Sequence, residues 1–322
     1  MDFKRLRLLR ELADRGTVGA TAEALNVTPS AVSQQLKTLQ DELGVVLVEK
    51  SGRGVRLTEA GLAMAGAAAE VATAMARAEA TIDTYRRGWQ TRVVAAFFPS
   101  AAEMFLPGLL HRVKAIEGLR FEAHFEDPGA AGFAGLTADY DIVLAHSVDG
   151  PEVFGGRGLA VVPLLDEPLD VALPAGHALA GKATVCAEDV VGFPWMGVPE
   201  GFPFDTVLRQ IEVRADAPAV RAQQFPDLRV LEALVSAGHG VSLLPRYTAV
   251  SNQGRGFVLR PLEGVKASRS IVALARPDVA ARTTIQQVLA MLKAEAQAVA
   301  EAPELSGAAH RMDSKAATDF IM

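Results

Sequence analysis

The sequence predicts an α/β chain with an N-terminal winged helix-turn-helix, one long connecting helix, and a C-terminal α/β region built in two sets of elements. Three observations carry this. Apolar residues recur at helical spacing in three short stretches before Gly44, and two short strand-like runs follow around a turn at Lys50–Gly54. Residues 58–87 hold no proline and only two glycines, Gly61 and Gly66. After Arg92, strand-like and helix-like stretches alternate, the order that predicts a parallel sheet covered by helices.

The chain has 322 residues, half of them hydrophobic, which is enough for two or three separate cores. Its formal charge of −6 argues against nucleic acid as a partner attracted by bulk charge. Residues 1–61 are close to neutral, with nine Lys/Arg against eight Asp/Glu. Any DNA contact must therefore come from placement. Cys186 is the only cysteine, which excludes an intrachain disulfide. The opening Met1-Asp2-Phe3-Lys4-Arg5 carries charges where a signal peptide needs an apolar core. The Ala60–Ala69 run ends at Glu70, too short to span a bilayer. The expectation is a cytoplasmic protein with no membrane partner.

In the first domain, Phe3, Leu6, Leu9 and Leu12 predict a helix that stops near Gly16. A short second helix follows, with Thr17 as N-cap and Ala22 and Leu25 inward. Asn26 suits the left-handed conformation of a tight turn. Thr28 then caps a third helix, and Pro29 fits its first position because its missing N–H would be unpaired there. That helix turns Ala31, Val32, Leu36, Leu39 and Leu43 inward and ends at Gly44. Ser30, Ser33, Gln34 and Lys37 are left on the other face, near the end that a recognition helix presents to base edges. In isolation, a solvated polar face on an ordinary helix reads the same way. The next residues tip the balance. Val45–Val48 and Val55–Leu57 read as two strands of a wing, and the tip carries Arg53, with Arg56 beside it, for phosphate or minor-groove contact.

These residues resemble the LysR-type transcriptional regulators. The matching run is Ala22-Glu23-x-Leu25-x-Val27-Thr28-x-x-Ala31-Val32-Ser33-x-Gln35-Leu36-Lys37-x-Leu39, continuing through Leu43-Gly44-x-x-Leu47 and Leu57-Thr58-x-Ala60-Gly61. Thr21 and Gln40 stand where the family usually has Ala and Glu, and Val48 and Lys50 where it favours Phe and Arg. A second match lies at Leu173-Pro174-x-x-His177-x-Leu179-Ala180, and a third at Leu234-Val235-x-Ala237-Gly238-x-Gly240-Val241-x-Leu243-Leu244-Pro245.

The resemblance implies a winged helix-turn-helix over residues 1–58 and a linker helix over 59–88. It implies an effector-binding domain of periplasmic-binding-protein type over 89–302. Within that domain, subdomain I takes 89–163 and 269–302, and subdomain II takes 164–268. The crossing strands lie near Gly158–Asp170 and Gly264–Ile271. The linker stripe is mostly small: Leu62, Ala65, Ala69, Ala72, Met75, Ala76, Ala80 and Tyr85, widened by Val71, Ala74, Ala78 and Ile82, allow close approach of a second helix. A helix folded back on its own domain is the other reading of that stripe. The implied partners are a second copy of the chain, a tetramer as a dimer of dimers, and duplex DNA with a near-palindromic operator. A small-molecule effector should sit between the subdomains, at strand ends and helix N-termini.

By that rule the cleft should be lined by Pro99, Ser100, Asp127, His146, Met196, Val198 and Phe225. Pro99 and Ser100 open a helix whose N–H groups favour an anion. Asp127 repels a carboxylate unless it is paired, which weakens the expectation of a simple organic anion. Ser100 as a plain N-cap, Phe225 as core and His146 as a structural histidine are the other readings of these positions. Residues 303–322 lie beyond the family match and read as a disordered tail, with 318–322 docking.

A catalytic reading finds little. Ser236 and His239 stand three apart, within an Ala-Gly-His-Gly turn and without a G-x-S-x-G elbow. The six histidines show no metal-ligand spacing, and no loop is built to cradle phosphate. No enzyme activity, metal or cofactor is expected. The competing reading is a solute-binding or enzymatic α/β protein whose N-terminal region serves only dimerisation.

Overall fold

The computed structural model describes residues 2–52, 54–83, 91–252 and 254–316. The first domain contains helices α1 (Phe3–Arg15), α2 (Val18–Ala24) and α3 (Pro29–Leu43), then the antiparallel wing strands β1 (Val48–Ser51) and β2 (Gly54–Leu57). Local chemistry fixes each boundary. The Asp2, Thr17 and Thr28 side chains accept from the N–H groups of Lys4, Ala20 and Ala31, and each leaves one fewer unpaired donor at a helix start. Asn26 adopts a positive φ of 52° in the turn before α3. The first wing strand begins later than expected, at Val48. The Gln40 side-chain carbonyl accepts from the N–H groups of Leu47 and Val48 and holds residues 45–47 as a connection. Leu6, Leu9, Leu12, Val32, Leu36, Leu39 and Leu47 close the core.

The connecting helix α4 (Glu59–Asp83) packs through Ala65 and Ala68 on that core. Thr58 caps it, accepting from the Gly61 N–H and donating to the Val46 carbonyl. Gly61 allows the close approach: an added Cβ would lie 2.0 Å from the Leu47 carbonyl oxygen. Residues 84–88 of the expected linker, like Arg53 at the wing tip, lie outside the described residues.

The C-terminal region runs β3 (Thr91–Phe97), α5 (Pro99–Val113), β4 (Leu119–Phe125), α6 (Phe133–Leu136), β5 (Ile142–Ser147) and β6 (Ala160–Pro174). It continues with β7 (Val185–Cys186), α7 (Ala187–Val190), β8 (Pro194–Gly197), α8 (Pro203–Ala215), β9 (Val220–Gln224), α9 (Leu228–Ser236) and β10 (Ser242–Pro245). Then come α10 (Arg246–Ala249), β11 (Phe257–Arg260), β12 (Leu262–Glu263), β13 (Ser268–Ala275), α11 (Pro277–Ala280) and α12 (Thr283–Ala316). Two separate cores form. Lobe I gathers Val93, Ala95–Phe98, Phe105, Ile142–Ala145, Ile271–Leu274, Val288, Leu289 and Leu292. Lobe II gathers Leu169–Leu173, Trp195, Val207, Ile211, Leu231, Val235 and Leu244.

The sheet is mixed where a parallel one was expected. β3 runs parallel to β4 and β5, but β13 runs antiparallel to β5 and β6, and β6 antiparallel to β10 and β11. The physical reason is connectivity: β6 leaves lobe I for lobe II and β13 returns, so the two strands must oppose each other. A short α11 precedes the closing helix, and α12 continues through residues 303–316 of the expected tail. Beyond Pro303 that stretch has no further helix-breaking proline. Residues 317–322 lie outside the described residues.

The two ends of the chain meet. Arg276 and Asp278, at the end of β13 and in α11, reach α1: Arg276 pairs with Glu11 at 2.9 Å and Arg10 with Asp278 at 3.0 Å. Arg15 adds bonds to Asp139 and to the Ala138 carbonyl. Burial alone would raise the Glu11 carboxyl, yet the guanidiniums of Arg276, Arg15 and Arg10 together hold it below the ordinary 4.5. A depressed native pKa stabilises above the unfolded value and is lost as pH falls through the native one. Glu11→Gln should therefore cost about 1–3 kcal/mol in urea denaturation at neutral pH. The gap from wild type should close as pH falls below 4.5. Gly61→Ala should cost about 1–3 kcal/mol in the same measurement, because the Leu47 backbone must move.

Candidate functional site

On α3, Val32, Leu36 and Leu39 are buried, whereas Thr28, Pro29, Ser30, Ser33, Gln34 and Lys37 are all exposed. The helix is anchored by one face and presents the other. Ser30 and Thr28 exchange a hydrogen bond at 3.0 Å, and Ser33 donates to the Pro29 carbonyl, so both hydroxyls keep acceptor capacity outward. Gln34 makes no side-chain hydrogen bond among the described residues, whereas Gln35 is occupied in accepting from Arg5. Arg56 lies directly opposite Glu49 across the wing and pairs with it at 2.8 Å while staying 69% exposed. Its Nε is held by that partner, while the other guanidinium N–H groups remain for a phosphate.

The second site is a cavity of about 530 Å³ between the lobes. From lobe I it takes Phe98, Pro99 and Ser100 at the start of α5, with Asp127 after β4 and His146 on β5. From lobe II it takes Val198 after β8, Phe202 and Phe204 at the start of α8, and Asp227 and Arg229 at the start of α9. Five of the seven positions expected from the sequence thus converge: Pro99, Ser100, Asp127, His146 and Val198. Two do not. Met196 is buried in the lobe II core, because its position on β8 faces the packed side near Gly240. Phe225 stands outside the lining, and its neighbour Pro226 takes the place.

The floor of the cavity is a group that sequence reasoning missed. Arg269 on β13 faces Glu167 on β6 in direct register. Its Nε and Nη2 donate to Glu167 Oε2 at 2.9 and 2.6 Å, and Nη2 also donates to Ser100 Oγ at 2.7 Å. The guanidinium carbon lies 5.2 Å from the Phe98 ring and 5.3 Å from the Phe204 ring, one from each lobe. Arg269 is 2% exposed and Glu167 is fully buried. Glu167 also accepts from the Tyr247 N–H. In the sequence this pair reads only as two charges inside apolar strands. A buried charge demands a partner, but the register that supplies it belongs to the strand crossing.

His146 packs against Phe98 and Phe133, and its Nε2 is 3.9 Å from Asp127, beyond hydrogen-bond range. Burial and the nearby Arg269 pull its pKa down to about 4, against the opposing pull of Asp127. The ring is neutral at pH 7 and leaves Asp127 without a cationic partner. At the mouth, Arg229 links Glu103 of α5 to Glu232 of α9 and so spans the lobes.

A family model described as bacterial regulatory helix-turn-helix protein, lysR family, matches residues 3–62, and one described as LysR substrate binding domain matches residues 86–297. The chain is 29% identical over 278 residues to the transcriptional dual regulator GltC of Bacillus subtilis (strain 168), covering 84% of this chain and 89% of that one. It is 29% identical over 280 residues to a probable hydrogen peroxide-inducible genes activator of Mycobacterium leprae, covering 84% and 83%. Full-length OxyR from Pseudomonas aeruginosa superposes with a TM-score of 0.60 at 21% identity, covering 92% of this chain and 97% of that one, a likeness of fold. With both the helix-turn-helix and the lobed domain matched over most of its length, the chain belongs to the LysR family of bacterial regulators.

Proposed function

We propose that the protein is a transcription regulator that reads duplex DNA through α3 and the wing, and that a small molecule held between the lobes gates it. The single observation that carries the DNA reading is the two-sided α3. Its apolar face is locked into the core, and its N-terminal half presents Ser30, Ser33, Gln34 and Lys37 with no competing fold role. Arg53 and Arg56 serve the backbone or minor groove. Residues 1–58 form the DNA-binding unit, 59–88 the linker and 89–302 the effector unit. The relatives are regulators, and this chain is a regulator rather than an enzyme.

The exposed side of α4 supports pairing of two copies. Val71, Met75 and Ile82 are exposed there on one face, with Ala74 and Ala78 beside them. A helix this apolar on its open side is stabilised by a second like it. A two-fold dimer sets two α3 helices about one DNA turn apart or a multiple of it, which suits a near-palindromic operator, and dimers pair further into a tetramer. No helix among the described residues is long and apolar enough to cross a membrane. Action in the cytoplasm follows from the DNA partner.

Several relatives are named for peroxide induction. Cys186 is the only cysteine here, and burial pushes its thiol pKa up, so a disulfide within one chain cannot store that signal. The cavity is the better sensor.

Two band-shift experiments on DNA upstream of the protein's own gene test this reading. Gln34→Ala should weaken binding to that DNA by about 1–3 kcal/mol and relax base preference, leaving non-specific binding unchanged. Arg56→Ala should lower the slope of log affinity against log salt by about one, and Glu49→Gln should tighten binding by removing a carboxylate that opposes the phosphates. Tight, sequence-independent binding that ignores all three changes would overturn it.

A further inference from the structure

The charges around the cavity do not suit a simple organic anion. Glu103, Asp127, Asp227 and Glu232 line it, against only Arg229 and Arg269. Arg229 is already shared between Glu103 and Glu232. Arg269 is already neutralised by Glu167 below the floor. Asp227 is spent capping α9, where it accepts from the Arg229 N–H. Asp127 remains. It makes no hydrogen bond among the described residues, and its one ion-pair contact there is with His146, a neutral ring 3.9 Å away. A carboxylate on a largely apolar wall with no cation of its own is an open position for one.

The floor asks for the complementary group. Arg269 Nη1 has no hydrogen-bond partner among the described residues, although the side chain is 98% buried and lines the cavity. The Ser100 hydroxyl accepts from Arg269 and has its own hydrogen left to donate. The N-terminus of α5, fifteen residues long, opens at the same place with no side-chain cap. All three offer donors. Between floor and wall, Phe98, Phe202 and Phe204 supply apolar surface.

We propose that the effector of this cavity is an ammonium-bearing small molecule with a compact apolar body and one hydrogen-bond acceptor. Asp127 pairs with the ammonium, Arg269 Nη1 and Ser100 take the acceptor, and the phenylalanines cover the body. This rests on the reading of the cavity as the effector site. Because Glu167 neutralises Arg269, the acceptor need not be charged: a hydroxyl and a carboxylate both fit, provided the ammonium is present.

Three probes on one carbon skeleton separate these features: L-phenylalaninol, L-phenylalanine and 3-phenylpropanoate. Each is titrated into the full-length protein by calorimetry, up to about 10 mM to reach millimolar affinities. The two ammonium probes should bind at least about tenfold more tightly than 3-phenylpropanoate, and Asp127→Asn should remove that preference, the effect of one charge-assisted hydrogen bond. Asp127 is partly exposed and the substitution keeps its shape, so the fold tolerates it. The proposal is overturned if 3-phenylpropanoate binds as tightly as the ammonium probes, if the preference survives in Asp127→Asn, or if neither ammonium probe binds. Ser100→Ala separates the two levels of failure. If 3-phenylpropanoate binds best and Ser100→Ala weakens it, the cavity remains the effector site and only the ammonium is wrong. If binding of every probe ignores both Ser100→Ala and Asp127→Asn, the cavity reading fails as well.

Discussion

The C-terminal region depends on one buried ion pair, Arg269 with Glu167. These two residues lie on the strands that cross between the lobes, directly opposite each other in the ladder. Neither has access to water sufficient to solvate its charge, so each is tolerated only because the other is there. The pair also collects the surroundings. Ser100 and Phe98 come from lobe I, Phe204 and the Tyr247 N–H from lobe II. The pair thus ties the two crossing strands together at the cavity, with part of the guanidinium toward it.

The other end of β13 meets the first domain. Arg276 closes that strand and enters the cluster of Arg10, Glu11, Asp14 and Arg15 on α1. Asp278 continues it into α11, and Thr283 contacts the Ala80 carbonyl on the connecting helix. One strand thus carries the cavity floor at Arg269 and the contact with the DNA-binding domain at Arg276. Arg229, bonded to both Glu103 and Glu232, is a second polar link between the lobes.

Much of this was legible in the sequence, and for local reasons. The caps Thr17 and Thr28, the left-handed Asn26, Pro29 at the first helical position and Gly44 at the end are each read within a few residues. Pro99, Ser100, Asp127, His146 and Val198 were legible because strand ends and helix starts mark a cleft of this kind. What escaped depends on distant partners. Met196 and Phe225 were assigned to the cavity by position alone, and one residue of offset sends a strand's side chain to the opposite face. Gln40 read as a mild departure from the family, yet its amide carbonyl sets the start of the wing by accepting two backbone N–H groups. The Arg269–Glu167 pair could not be found from spacing, since 102 residues separate its members. The antiparallel crossing of β6 and β13 was hidden for the same reason.

The most direct measurement is a double-mutant cycle on that pair. Urea denaturation of the wild type, Arg269→Met, Glu167→Gln and the double variant gives their coupling energy. Each single change strands a buried group, so a coupling of at least about 2 kcal/mol is expected, with the double variant no less stable than the worse single one. Losses that add to within about 0.5 kcal/mol would mean that the two charges do not depend on each other, and would contradict the account of the pair given above.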